Sequence, residues 1–285
     1  MTVHGAQAWQ SFNDRNAGRS ADPAWYEGVP EWLEYPLREW LSSRLVVNNG
    51  WRQQVMARLR YIPRVRYWYG FNAQGVPTHS LLEWVDATLH VMTHRSSYRD
   101  RLIPRYVGEV DAVLRDGRSV WKVGASGDAL ERRHDSTVTA AARDTTESAV
   151  RAGRDAGATH LRAAWDAAYR FHPDPSTAYR EAILAVEAAA IPVVVPNQAD
   201  ATLGHVLGQL NQQGHLYQMA INDRSGVSLP ITVVVQLIRL LWDGHTDRHE
   251  GVTRAVPITR EAAQMATHAA VTLVQWFTSG AIRRL

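Results

Sequence analysis

The densest set of reactive side chains is a thirteen-residue stretch that begins at Arg239 and ends at Gly251. It holds Asp243, His245, Asp247, Arg248, His249 and Glu250. Histidine is the side chain whose free pKa lets it take and return a proton near neutrality. Arginine is the best side chain for charge developing on a phosphate. An RNA brings its own nucleophile, the 2′-hydroxyl, so a base, an acid and a phosphate clamp suffice for cleavage. Two other readings fit the same residues. His245, Asp247 and His249 alternate, so an extended loop would turn them one way, as a metal site needs. The two arginines beside them would repel a cation, so no metal and no cofactor is expected. The third reading is structural: a charged, hydrogen-bonded helix end.

These residues directly follow the most apolar segment, Leu229 to Trp242, which reads as a central helix that the glycines terminate. The closing segment, Thr259 to Gly280, has Ala262, Ala266, Ala269, Leu273 and Phe277 as its apolar stripe, with Gly280 as its stop. Upstream, helices are expected over His134 to Asp155, Thr159 to Tyr169 and Thr202 to Gln212. Asp174-Pro175 is a strong start for another, running to about Ala190. Pro192 to Pro196 reads as an extended connector. The fold class is therefore mainly α, ending in a bundle of about five helices.

The first half reads as a loose tail (1–28), a helical region (29–118) and one β-hairpin (119–133), with the bundle over 134–285. Helices are expected from Pro30 to Leu45, with Pro36 as a kink or break, and from Gly50 to Tyr61, Thr78 to Met92 and Leu102 to Leu114. Short apolar runs around Gly124-Ala-Ser-Gly127-Asp128 give the hairpin. No helix-opening fingerprint surrounds those glycines, so they make a turn rather than a phosphate cradle.

Composition narrows the class. With 285 residues, 45% hydrophobic and 21% charged, the chain is an ordinary globular sequence. Without cysteine, a disulfide framework, a thiolate zinc site and a cysteine nucleophile are excluded. No basic start precedes an apolar core at the N-terminus, and the longest apolar run is too short and polar for a bilayer. A cytoplasmic protein without membrane association is expected. The net charge is only +3, and Lys122 is the single lysine.

Between Glu39 and Glu83 there is no acidic residue. That window holds Arg44, Arg52, Arg58, Arg60, Arg64 and Arg66 among Trp51, Tyr61, Tyr67, Trp68 and Tyr69. Clustered arginines with interleaved aromatics supply phosphate neutralisation and stacking faces for single-stranded nucleic acid. The competing reading is an amphipathic segment whose aromatics are core. Arg52, Arg58, Arg60, Arg64, Arg66, Tyr67 and Trp68 are the candidate RNA contacts.

Residues 130–285 resemble the HEPN (higher eukaryotes and prokaryotes nucleotide-binding) superfamily, in particular its abortive-infection-like bacterial proteins. The resemblance is carried by Thr159 to Tyr169 with Asp174 to Glu187, which look like that group's paired helices. Thr202-Leu-Gly204 looks like its next helix start, and Leu241-Trp242, Arg248-His249 and the closing helix like its end. It implies a helical bundle, a homodimer through the C-terminal helices, and metal-independent ribonuclease activity from an Arg-x(4–6)-His motif. Arg239 and His245 fit that spacing. On this basis His245 moves the 2′-hydroxyl proton and Arg239 holds the phosphate. Two departures matter. Leu240 stands where active members carry a polar residue, and Glu250 separates His249 from Gly251. So His249 is an alternative catalytic histidine, with Arg248 or Arg239 as partner and Asp243 or Asp247 orienting the ring. The function implied is an endoribonuclease of phage defence or toxin type, with a phage-derived trigger or an antitoxin as further partner. The alternative is a non-catalytic HEPN-like dimerisation or sensor module.

Overall fold

A computed structural model describes residues 16, 25–62, 73–95, 101–134, 136–245 and 256–285. Among them the chain is mainly α-helical, with two short antiparallel strand pairs. It divides into two compact units, 1–130 and 131–285.

The first unit contains α1 (Glu31–Leu45), α2 (Asn49–Arg58), α3 (Leu81–Arg95), α4 (Ile103–Asp116) and the hairpin strand β1 (Trp121–Val123). Its partner β2 (Leu130–Arg132) spans the division. Pro36 lies inside α1 without ending it. An interior proline costs about 3 kcal/mol. Leu33, Leu37, Trp40, Leu41 and Leu45 are all buried on that helix, each contributing roughly 1.5–3 kcal/mol, so burial wins. Asn48 caps α2, its side chain accepting from Trp51 N at 3.0 Å. The hairpin is tied to two helices: Asp111 of α4 accepts from Val123 N at 3.0 Å, and Asp86 of α3 accepts from Leu130 N at 2.7 Å. Tyr26 brackets the same region, donating from its N to Arg118 O and accepting from Val120 N. Trp121 Nε1 donates to Glu27 O at 3.0 Å, so residues 26 and 27, read from sequence as the end of a loose tail, are built into this unit.

The second unit holds α5 (Ser136–Arg151), α6 (Asp155–Tyr169), α7 (Pro175–Val194), α8 (Leu203–Gln213), α9 (Thr232–Asp243) and α10 (Arg260–Thr278). Its centre is α7, which packs on α6, α8 and α10. Asp174 caps α7 as expected, accepting from Thr177 N at 3.0 Å. Both helices bury small residues, Ala158, Ala164 and Ala168 on α6 and Ala178, Ala182, Ala185 and Ala189 on α7, and Gly157 of α6 lies close against α7, where a Cβ would stand 3.4 Å from Ala185 O. The expected connector at Pro192 is helical instead, because α7 continues until the buried Val194 is placed. A strand pair that the sequence did not signal closes the unit. In it β3 (Tyr217–Met219) runs antiparallel to β4 (Ile282–Arg284), with Tyr217 opposite Arg284.

The most apolar helix, α9, is not central. It buries Val234, Val235, Ile238 and Leu241 but leaves Val233 61% and Leu240 45% exposed. Its apolar character runs round the helix, and only one side meets the core.

Candidate functional site

Arg239, Asp243 and His245 are described; Asp247, Arg248 and His249 lie outside the described residues, as do Arg64, Arg66, Tyr67 and Trp68. α9 ends at Asp243 with Gly244 as its cap. Gly244 is required sterically: a Cβ there would stand 2.2 Å from Tyr179 Oη and 2.9 Å from Leu240 O. The chain can therefore turn tightly over the Tyr179 ring, and His245 stacks on it with centroids 5.8 Å apart and planes 12° from parallel. The Tyr179 hydroxyl donates to Leu240 O at 3.2 Å, which locks the ring under the helix end. Burial, and secondarily the Asp243 carboxylate, push the Tyr179 phenol above its ordinary pKa, so it keeps its proton.

Arg239 is half-buried and donates to Asn211 of α8 at 3.2 Å. Arg239, before the last turn of α9, and His245, just past its cap, are held by different helices, α8 and α7. Trp242 seats α9 on the start of α8, where Gly204 leaves room: a Cβ there would meet the indole at 2.8 Å. That helix start is also fixed by Glu187 of α7, which accepts from Leu203 N at 2.6 Å.

A second constellation was not read from the sequence. The hydroxyl of Tyr169 on α6 shares a hydrogen bond with Nε2 of His268 on α10 at 2.7 Å. Trp165 and His134 pack edge-on around the pair. Burial raises the phenol pKa against the opposing charge of Arg260, and burial lowers that of the histidine. A protonated phenol beside a neutral imidazole is the consistent state. The pair lines an open groove of about 560 Å³ between α9 and α10, whose other walls include Leu237, Leu240, Glu261 and Met265. His268 was invisible in sequence because it stands among alanines in a helix read for its apolar stripe. Only the fold sets Tyr169 against it.

In the first unit, Arg58 and Arg60 are exposed, and Arg52 donates to Asn49. The aromatics of that window are less available. Trp51 is buried, and Tyr61 packs edge-on against the buried Trp84 with centroids 5.1 Å apart. Arg44 is committed to Glu109 and lies 3.8 Å over the Tyr106 ring. The described part of the window therefore offers arginines, while Trp51 and Tyr61 serve packing.

No described helix is long and apolar enough to cross a membrane. The chain matches no family model, no curated protein and no solved structure.

Proposed function

We propose that the chain is a HEPN-like, metal-independent endoribonuclease of abortive-infection or toxin type, acting as a homodimer. The observation that supports this reading is the end of α9. There a histidine with a fixed ring plane follows the C-cap, and an anchored arginine precedes the helix end by about one turn. In the reaction, His245 takes the proton of an RNA 2′-hydroxyl and the 2′-oxygen attacks phosphorus. The bond from phosphorus to the 5′-oxygen breaks, and a second histidine, His249 or the His245 of another copy, protonates that leaving oxygen. The products are a 2′,3′-cyclic phosphate and a 5′-hydroxyl. Arg239, with Arg248, stabilises the charge gathering on the phosphoryl oxygens, and Asp243 or Asp247 orients a histidine. Arg52, Arg58 and Arg60, together with Arg64, Arg66, Tyr67 and Trp68, contribute RNA contacts on this reading. A phage-derived trigger or an antitoxin would control the activity, and the setting is cytoplasmic.

The test is cleavage of end-labelled tRNA and a generic single-stranded RNA in EDTA. Wild type should cut. His245→Ala or His249→Ala, and Arg239→Ala, should lower the rate by about 10²–10⁴-fold while the protein stays folded. Failure of wild type to cut any RNA, alone or with phage lysate, would sink the nuclease reading. The open apolar groove between α9 and α10 favours one alternative, a non-catalytic dimerisation or sensor module. In that case dimerisation survives and every histidine variant is silent.

A further inference from the structure

The first unit brings together three metal-ligating side chains from two elements. Asp86, His90 and His94 recur every fourth residue along α3, so they share one face. Asp86 docks that face on the hairpin through Leu130 N. One and two turns further on, the same face presents His90 and His94 to Asp128, in the turn between β1 and β2. Each of the three offers a ligand atom, and those atoms all lie within 4.8 Å of one another.

The details suit a cation. Nε2 of His94 faces Oδ2 of Asp128 at 3.8 Å. That is longer than a hydrogen bond and close to the ~3.4 Å that separates two ligands on a tetrahedral zinc. Nδ1 of His94 is 3.0 Å from the carbonyl of His90. A carbonyl only accepts, so Nδ1 carries the proton and Nε2 of the neutral ring presents its lone pair. This is the outer hydrogen bond that metal-bound histidines use to fix their tautomer. The two imidazoles stack with centroids 4.2 Å apart and planes 21° from parallel. Asp128 is only 7% exposed, and the Ser126 hydroxyl donates to its other oxygen, Oδ1. The carboxylate is thereby oriented from behind.

We propose that His90, His94 and Asp128 bind one divalent transition ion of the zinc class, clamping α3 to the β1–β2 turn. Two imidazoles and one carboxylate are a nitrogen–oxygen set that suits Zn²⁺, and Co²⁺ as its spectroscopic substitute. The site is independent of the proposed nuclease chemistry, which needs no metal.

The experiment uses tag-free full-length protein stripped of metal, titrated with Co²⁺ and read by visible d–d absorbance and thermal unfolding. One equivalent should bind and be displaced by Zn²⁺, and Zn²⁺ should raise the unfolding midpoint. His94→Ala and Asp128→Asn should each weaken this binding at least tenfold and abolish the thermal shift, while His215→Ala, at an exposed position elsewhere, retains both. His94 is half-exposed and Asp128→Asn is isosteric; circular dichroism verifies that both variants fold. Absence of Co²⁺ binding by wild type, or binding unchanged in the two variants, overturns the proposal.

Discussion

His268, the hydrogen-bond partner of Tyr169, is buried in a way that disfavours its charged form, and this sets a pH dependence. Burial holds His268 below its ordinary value of 6.5, so on acidification the unfolded chain binds this proton first. The contribution to stability is therefore complete above 6.5 and is lost as the pH falls through that value toward the folded-state pKa. Urea titrations between pH 8 and 5 should show a decline that His268→Gln flattens. Tyr169→Phe should cost about 1 kcal/mol at pH 7, the ordinary net worth of one hydrogen bond. If the decline is the same in His268→Gln, another group controls it. At this scale the sequence was informative where neighbours along the chain do the work, as with Asp174 capping α7. It was silent where two helices meet, because nothing near His268 in sequence announces Tyr169. In the arginine-rich window, side-chain type alone could not separate stacking faces from core, and Trp51 and Tyr61 are packed rather than open.

For the elements, Gly244 is the position on which the geometry of the α9 end turns. Gly244→Ala drives a methyl group into Tyr179 Oη and Leu240 O. It should destabilise the fold by about 1–3 kcal/mol, the usual cost of overpacking, and free the Tyr179 ring from His245. The histidine NMR signal would then lose its ring-current shift; an unmoved signal would contradict the steric argument. Helix positions were largely legible because caps and apolar spacing are local signals. Pro192 misled, and Pro36 does not break α1, for one reason: a proline penalty is local, while the burial that overrides it belongs to the tertiary structure. β3 and β4 are three residues each, too short for an alternating pattern to register.

At the scale of the whole molecule, an apolar strip stays open among the described residues. Leu240 and Met265 are 45% and 63% exposed beside the α9–α10 groove, the kind of surface that marks an association site. If a second copy covers it, Leu240→Glu and Met265→Glu should convert a dimer to a monomer in light scattering and leave helical content intact. A dimer that persists in both variants would place its interface elsewhere. The exposed strip also explains why sequence hydrophobicity suggested a central helix: an apolar surface awaiting a partner and an apolar core look alike in composition.

The β3–β4 pair has a consequence for the order of events in folding. Tyr217 cannot meet Arg284 until α9 and α10, which lie between them in the chain, have been gathered in. Closing so long a loop costs entropy that helix contacts nearby in sequence do not incur. This ribbon should be a late fastening of the second unit, absent from the rate-limiting transition state. Ile282→Ala, which empties a buried position on β4, should then speed unfolding while leaving the refolding rate almost unchanged.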